Sequence, residues 1–270
     1  MDAALYWVGY GPALSAAVPR SGVSSGIVTQ VVTPVVAPVV IPKVRLLDIE
    51  GTVAPIDFVY QTLFPYARQR IPAFLAQPLD LELRNAMESL SVERQREVDT
   101  DGVPADNAGY LLWLMDRDRK SGPLKIVQGR IWQQGYESGT LVSELFPDVP
   151  NALRRWISAG QRVAIFSSGS ILAQRLVFRY TRFGDLTRFI DAYFDTSTGP
   201  KRDPESYRVI AARLETSPGE IQFFSDVIDE LDAAARAQMQ TVVTIRPGNR
   251  EIAPGDLATH PAIRSLDEIP

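Results

Sequence analysis

Four short stretches of the chain carry groups that could do chemistry. Asp48-Ile49-Glu50-Gly51-Thr52 sets two carboxylates two residues apart, and Ser167-Ser168-Gly169-Ser170 offers hydroxyls on a turn. Gly199-Pro200-Lys201 aims a lysine from a rigid turn, and Ser225-Asp226 leads into Asp229, Glu230 and Asp232. Together they could make a phosphate site beside a divalent-metal site. Asp48 and Asp226 would give hard oxygen ligands to Mg2+, which takes few carboxylates and keeps water and substrate phosphate. The serine hydroxyls and the Gly169 backbone would hold phosphate oxygens at a helix start. Lys201 would add a point charge for the phosphoryl group. Glu230 lies one helical turn beyond Asp226 and faces the same way. Taken singly, each group has a plainer reading. Asp48 could be a loop cap, Glu50 a solvated side chain, Ser167 and Ser168 helix caps, Lys201 a surface lysine and Asp226 an N-cap. The order acid, serine, lysine, acid along one chain favours the site over that set of coincidences.

Composition narrows the chemistry further. The 270 residues include no cysteine and one histidine, His260. That excludes disulfide scaffolds, thiol nucleophiles, iron–sulfur clusters, cysteine zinc sites and the two-histidine zinc helix. Any catalysis must run on carboxylates, lysine, hydroxyls or a hard metal. With 28 basic and 32 acidic residues, the net charge of −4 disfavours nonspecific nucleic-acid binding. Anionic small substrates remain compatible with a locally positive site.

The elements that must position these groups follow from apolar patterning. Val44 to Asp48, Arg162 to Ser167, Ile221 to Ser225 and Thr241 to Ile245 are short apolar runs, with Ile190 to Phe194 a weaker one. Such runs fit strands buried on both faces of a parallel sheet. Helical patterns over Asn151–Ala159, Ile171–Tyr180, Pro204–Leu214 and Val227–Gln238 alternate with them. The alternation predicts a doubly wound α/β core, in which ligands bind at the carboxyl ends of the strands. Between the first and second strands the pattern is helical throughout: Phe58–Ala76, Leu79–Val98, Asn107–Arg119 and Leu124–Tyr136. The expected organisation is therefore a core of residues 43–57 and 148–270 with an all-helical cap over 58–147. Trp113, Trp132, Phe58 and Tyr136 read as helix core by their spacing, while Arg119, Lys120 and Lys125 read equally as a solvated patch or as substrate contacts. Residues 1–42 carry only Asp2 and Arg20 as charges, and Pro34, Pro38 and Pro42 break their valine-rich run. They read as a poorly ordered extension or an upstream start, with a targeting segment as the alternative, and fit a membrane helix or secretory signal poorly.

The constellation resembles the haloacid-dehalogenase superfamily of phosphohydrolases. The resembling residues are Asp48 to Thr52, Ser167 or Ser168, Lys201, and Asp226 to Glu230. It resembles more narrowly the enolase-phosphatases of methionine salvage. Glu50 at the second acidic place carries that likeness, as do FPYAR (Phe64 to Arg68), DRKS (Asp118 to Ser121), FSSGS (Phe166 to Ser170), YFDT (Tyr193 to Thr196), GPKRDPESY (Gly199 to Tyr207) and ELDAA (Glu230 to Ala234). The likeness runs from about Lys43 to Arg246.

The resemblance implies a Rossmann-like core with a helical cap and one Mg2+ per chain. It implies that 2,3-diketo-5-methylthiopentyl-1-phosphate is enolised and then hydrolysed to the acireductone and phosphate. Asp48 would attack phosphorus and form an aspartyl phosphate. Glu50 would give its backbone carbonyl to the metal, with Asp48 and Asp226, and its side chain as general acid/base. Ser167, Ser168 and Lys201 would bind the phosphate, and Thr52 and Glu230 would stand behind these groups. A cytoplasmic, usually monomeric enzyme with a small phosphorylated substrate and no nucleic-acid or membrane partner is expected. The alternatives are a phosphatase of another small phosphomonoester on the same scaffold, or a non-enzymatic phosphometabolite-binding protein. His260 lies beyond the matched stretch, so His260→Ala should leave turnover nearly unchanged when phosphate release is followed.

Overall fold

The computed structural model describes residues 41–97, 102–119, 121–253 and 255–270. The expected extension therefore lies, up to residue 40, outside the described residues, as do Val98 and Lys120. Six parallel strands form one sheet: β1 (Val44–Leu47), β2 (Arg162–Phe166), β3 (Ala192–Phe194), β4 (Ile221–Ser225), β5 (Gln240–Thr244) and β6 (Ala262–Ile263). Their order is β3-β2-β1-β4-β5-β6. All five expected strands form, within a residue or two of their expected ends. The sixth is too short to give a periodic signal in the sequence. The chain winds outward from β1 in one direction and then returns to wind in the other, so the order reverses between β1 and β4. That reversal opens a crevice at their carboxyl ends.

Between β1 and β2 the chain is helical. A π-helical turn (Phe58–Leu63) runs into α1 (Phe64–Leu75), followed by α2 (Leu81–Gln95), α3 (Asn107–Asp116) and α4 (Gly122–Glu137). These helices bury a core of their own, including Ile71, Leu90, Tyr110, Leu111, Leu114 and Val127. Their starts are set by side-chain caps. Asp80 accepts from the Leu83 amide at 2.9 Å, so α2 begins at Leu81 and not at Leu79 as the apolar spacing suggests. Asp106 caps α3 and Ser121 caps α4 in the same way.

The sheet is covered on both faces. Leu47, Val163, Ile165 and Phe224 point to one side, against α5 (Val149–Ser158) and α6 (Ile171–Arg179). Leu46, Ala164, Phe166 and Phe223 point to the other, against α7 (Pro204–Arg213) and α8 (Ile228–Arg236). Adjacent strand residues thus feed opposite cores, which is why the strands read as continuous apolar runs. Among the described residues, no helix is long and apolar enough to cross a membrane.

A buried ion pair ties the return from the helices to the far side of the sheet. Arg246, just beyond β5, donates to Asp148 at 2.7 Å, and both side chains are almost fully buried. Arg246 also donates to the carbonyls of Thr52 and Arg264, at 3.1 and 2.9 Å. Asp148 accepts from the Ser265 hydroxyl and the Leu266 amide, at 2.9 and 2.6 Å. The loop after β1, the start of α5 and the C-terminal segment are thereby held together. Burial pushes the Asp148 carboxyl up, but Arg246, the Leu266 amide and Ser265 outweigh it and hold it below the usual aspartate range. A depressed folded value means that this stabilisation is complete above the ordinary aspartate range and is lost as pH falls through the folded value. Asp148→Ala should therefore cost about 3 kcal/mol at neutral pH by leaving Arg246 buried and unpaired. In urea unfolding, the deficit should shrink on acidification below the ordinary aspartate range.

Candidate active site

The carboxyl ends of β1, β2 and β4 deliver their groups into one cavity of about 990 Å3. Asp48 follows β1, Ser167 follows β2 and Asp226 follows β4. Asp48, Glu50, Ser167, Ser168, Lys201, Asp226 and Glu230 all line the cavity. Of the site residues expected from sequence, Thr52 alone does not. It is fully buried, and its hydroxyl meets that of Thr244 at 3.0 Å, fastening the loop after β1 to the end of β5.

Lys201 is the hub. Its ammonium lies 2.7 Å from Asp48 Oδ1 and 2.6 Å from Glu230 Oε2. Burial alone would push the ammonium down, but the two carboxylates outweigh it and hold it above the ordinary lysine range. It stays a cation. The stretch from Gly199 to Tyr207 explains its aim. Asp203 caps α7 by accepting from the Glu205 amide at 2.9 Å, and Pro204 occupies the first turn. The first turn of α7 then reaches back to the loop: Ser206 donates to the Pro200 carbonyl and Tyr207 to the Lys201 carbonyl, each at 2.7 Å.

The remaining carboxyls are under-compensated. Burial, then the Asp48 charge, pushes Asp226 up to about 7. The same two causes, in the same order, raise Glu50 and Glu230. Glu50 accepts from the Ser167 hydroxyl at 3.2 Å. Ser225 lies 3.5 Å from Asp48 Oδ2 and donates to Glu230 at 3.0 Å. Gly51 brings two of these groups close: its φ is +70°, and a Cβ there would collide with the Asp226 carboxylate. Four carboxyl groups thus face one lysine. No cluster of three or more His, Cys, Asp or Glu side chains suited to a metal occurs among the described residues. The donor set is sparser, two carboxylates at neighbouring strand ends, which fits an ion that retains water and accepts substrate oxygens.

The serine loop separates capping from binding. Ser170 caps α6, accepting from the Ala173 amide at 3.3 Å, so Ser167 and Ser168 are not its caps. Asp226 is likewise not a cap, since α8 starts after Val227 without a side-chain bond. Sequence reasoning missed Gln174, which sits almost fully buried on α6. Its amide nitrogen donates to the Gly169 and Phe194 carbonyls, both at 2.8 Å, and clamps the loop after β2. Its burial is visible only in the structure, so the sequence offered no signal for it. Phe58 and Trp132 line the cavity as well as packing in the helical core, whereas Trp113 and Tyr136 serve the core alone. Arg119 pairs with Glu97 at 3.0 Å, and Lys125 donates to Thr196 at 2.9 Å, joining α4 to the loop after β3. His260 is buried between Thr241 and Asp232, at 2.8 and 3.1 Å, and does not line the cavity.

Residues 42–238 match the haloacid dehalogenase-like hydrolase family. The chain is 48% identical over 231 residues to the enolase-phosphatase E1 of Synechococcus elongatus, covering 83% of this chain and 96% of that protein. It is 46% identical over 230 residues to the enolase-phosphatase E1 of Leptospira borgpetersenii, covering 83% and 97%. Among solved structures, the UTR4 protein of Saccharomyces cerevisiae aligns with a TM-score of 0.69 at 33% identity, over 83% of this chain and 98% of that one. With the family match spanning the core and the inserted helices together, the chain belongs to the enolase-phosphatases among the haloacid dehalogenase-like hydrolases.

Proposed function

We propose that the protein is a Mg2+-dependent enolase-phosphatase. It takes 2,3-diketo-5-methylthiopentyl-1-phosphate to 1,2-dihydroxy-3-keto-5-methylthiopentene and phosphate. The observation that carries this reading is the Asp48–Lys201–Glu230 ion cluster at the foot of a cavity whose other walls, from the inserted helices, are largely apolar. Such a cavity suits a ligand with a phosphate at one end and an apolar tail at the other. The helices of residues 58–147 act in this reading as a cap over the core. The enzyme is read as monomeric and cytoplasmic, as is usual in the family it resembles.

Asp48, Asp226 and the Glu50 backbone carbonyl would hold the metal. When bound, Mg2+ neutralises charge on the phosphate and on the surrounding carboxylates. The chain's own groups do the rest. In the first step, a proton leaves the carbon between the phosphate ester and the first carbonyl. The freed electron pair becomes the C=C bond, and the carbonyl oxygen takes up charge and then a proton. Glu50 is the base in this reading, the alternative being a residue of the inserted helices. Burial, then the Asp48 charge, raises the Glu50 carboxyl above the ordinary glutamate range, and the Ser167 hydroxyl holds it in place, which suits a group that takes up a proton. In the second step, Asp48 attacks phosphorus, the ester oxygen leaves with a proton, and water hydrolyses the aspartyl phosphate. Lys201 holds the phosphoryl oxygens and, 2.7 Å from Asp48 Oδ1, fixes the position of that carboxylate. Ser167 and Ser168 hold phosphate from the β2 side.

Asp48→Asn should abolish phosphate release while circular dichroism stays native, because Lys201 keeps Glu230 as a charged partner. Unchanged turnover would remove Asp48 from the nucleophile role. Excess chelator should stop the reaction and added Mg2+ restore it; full activity in chelator would refute the metal assignment. A phosphatase of another small phosphomonoester is separated by following ultraviolet absorbance together with phosphate. Only enolisation of the diketone changes the absorbance.

A further inference from the structure

The wall of the cavity formed by α4 contains one polar group that the protein itself does not use. Leu124, Gln128 and Trp132 lie at i, i+4 and i+8 of α4 and all line the cavity. Leu124 is apolar, and Trp132 spends its only polar atom on the Leu63 carbonyl at 2.8 Å. Phe64 stacks on the Trp132 ring at 6.2 Å and extends the apolar wall. Gln128 sits between these two apolar side chains at 6% exposure, and its amide has no hydrogen-bond partner among the described residues. The charged side chains of the same layer are committed: Arg68 to Asp116, Arg119 to Glu97, and Lys125 to Thr196.

An amide that faces the cavity with no protein partner is met by water until a ligand displaces it, and a ligand that did not replace those hydrogen bonds would leave the amide unpaired at a cost of about 1–3 kcal/mol. The position says what that partner is. A Cβ added to the next residue, Gly129, would lie 3.4 Å from Leu172 and 3.6 Å from the Ser170 hydroxyl. This turn of α4 therefore rests on the start of α6, directly after the serine loop. Gln128, one residue before that contact, lines the cavity together with Ser170 of the serine loop and with Leu124 and Trp132 of the apolar wall. In a ligand with its phosphate at the serine loop and its tail on that wall, a group here would meet the middle.

We propose that Gln128 reads the dicarbonyl of the substrate, its side-chain N–H donating to a carbonyl oxygen and to the enolate formed from it. The inference rests on the enolase-phosphatase reading and adds a specificity-determining and enolate-stabilising residue to it. The bond strengthens as the C–H proton is lost and charge gathers on the oxygen, so it favours the transition state over the bound diketone. Glutamine suits a ligand with neutral oxygens, since a lysine or arginine here would compete with Lys201 for the phosphate.

Gln128→Leu and Gln128→Glu test this, the first removing the amide and the second replacing the N–H donor by an acceptor of similar shape. Three quantities are compared with the wild type: kcat/KM for enol formation from the diketo phosphate, the inhibition constant of inorganic phosphate, and the Tm. The expected result for both variants is a loss of about 100-fold in enol formation, with phosphate inhibition within about twofold of wild type. Gln128→Leu should also keep a Tm close to that of wild type, because it removes no hydrogen bond within the described residues and keeps a side chain of similar volume. Wild-type rates of enol formation in Gln128→Leu would overturn the inference. So would a parallel loss of phosphate inhibition and Tm, which would make Gln128 a packing residue. If the wild-type enzyme itself forms no enol, the enolase reading falls and this inference falls with it.

Discussion

A lysine ammonium buried between two carboxylates is the constraint on which the site is built. Taking Lys201 out of water is costly unless its charge is met at close range, and Asp48 and Glu230 meet it at 2.7 and 2.6 Å. Asp48 follows β1, and Glu230 lies in the first turn of α8, the helix after the neighbouring parallel strand β4, so the cluster requires the sheet order that places β1 and β4 side by side. It also requires the loop that carries Lys201 to be held from α7, through Ser206 and Tyr207. One cation does not balance the acidic groups gathered there. Burial first, and then the Asp48 charge, raises the carboxyls of Asp226, Glu50 and Glu230, and an incoming divalent ion would offset both.

The two halves of the cavity divide the work by chemistry. The sheet end contributes charge and hydroxyls on loops whose backbones are pinned, by Gln174 after β2 and by Thr52 and Arg246 after β1. The inserted helices contribute aromatic and aliphatic surface, with their own charged side chains engaged elsewhere. Rigid attachment on one side and a separately cored layer on the other suit a ligand that is anionic at one end and apolar at the other.

Much of this was legible along the chain, and the reasons differ by element. Strands β1, β2 and β4 are buried on both faces and mostly apolar, and β5 carries its paired valines in a buried centre, so each run stands out. Strand β6 has two residues and leaves no such mark. Helix starts were misjudged where apolar spacing outran the cap, as at Asp80. The chemistry-bearing residues were legible because strand ends in a parallel sheet are where ligands bind, so an acid or serine after an apolar run has a location as well as a type. Gln128 and Gln174 were not, since a glutamine within a helix reads as solvent-facing until the neighbours that bury it are known.

The sequence by itself determined the types of group available and their order: carboxylates, serines and one lysine in alternation with strands and helices, with no cysteine and a single histidine outside the site. Local patterning encodes these because each strand or helix needs only its own residues to declare itself. Only the tertiary structure decided the partners. That Lys201 bonds Glu230 as well as Asp48, that Asp148 answers Arg246, and that Gln128 has no partner among the described residues all depend on distances between residues far apart in the chain. Such distances are set by packing of the sheet and its helices and have no signature in any one segment.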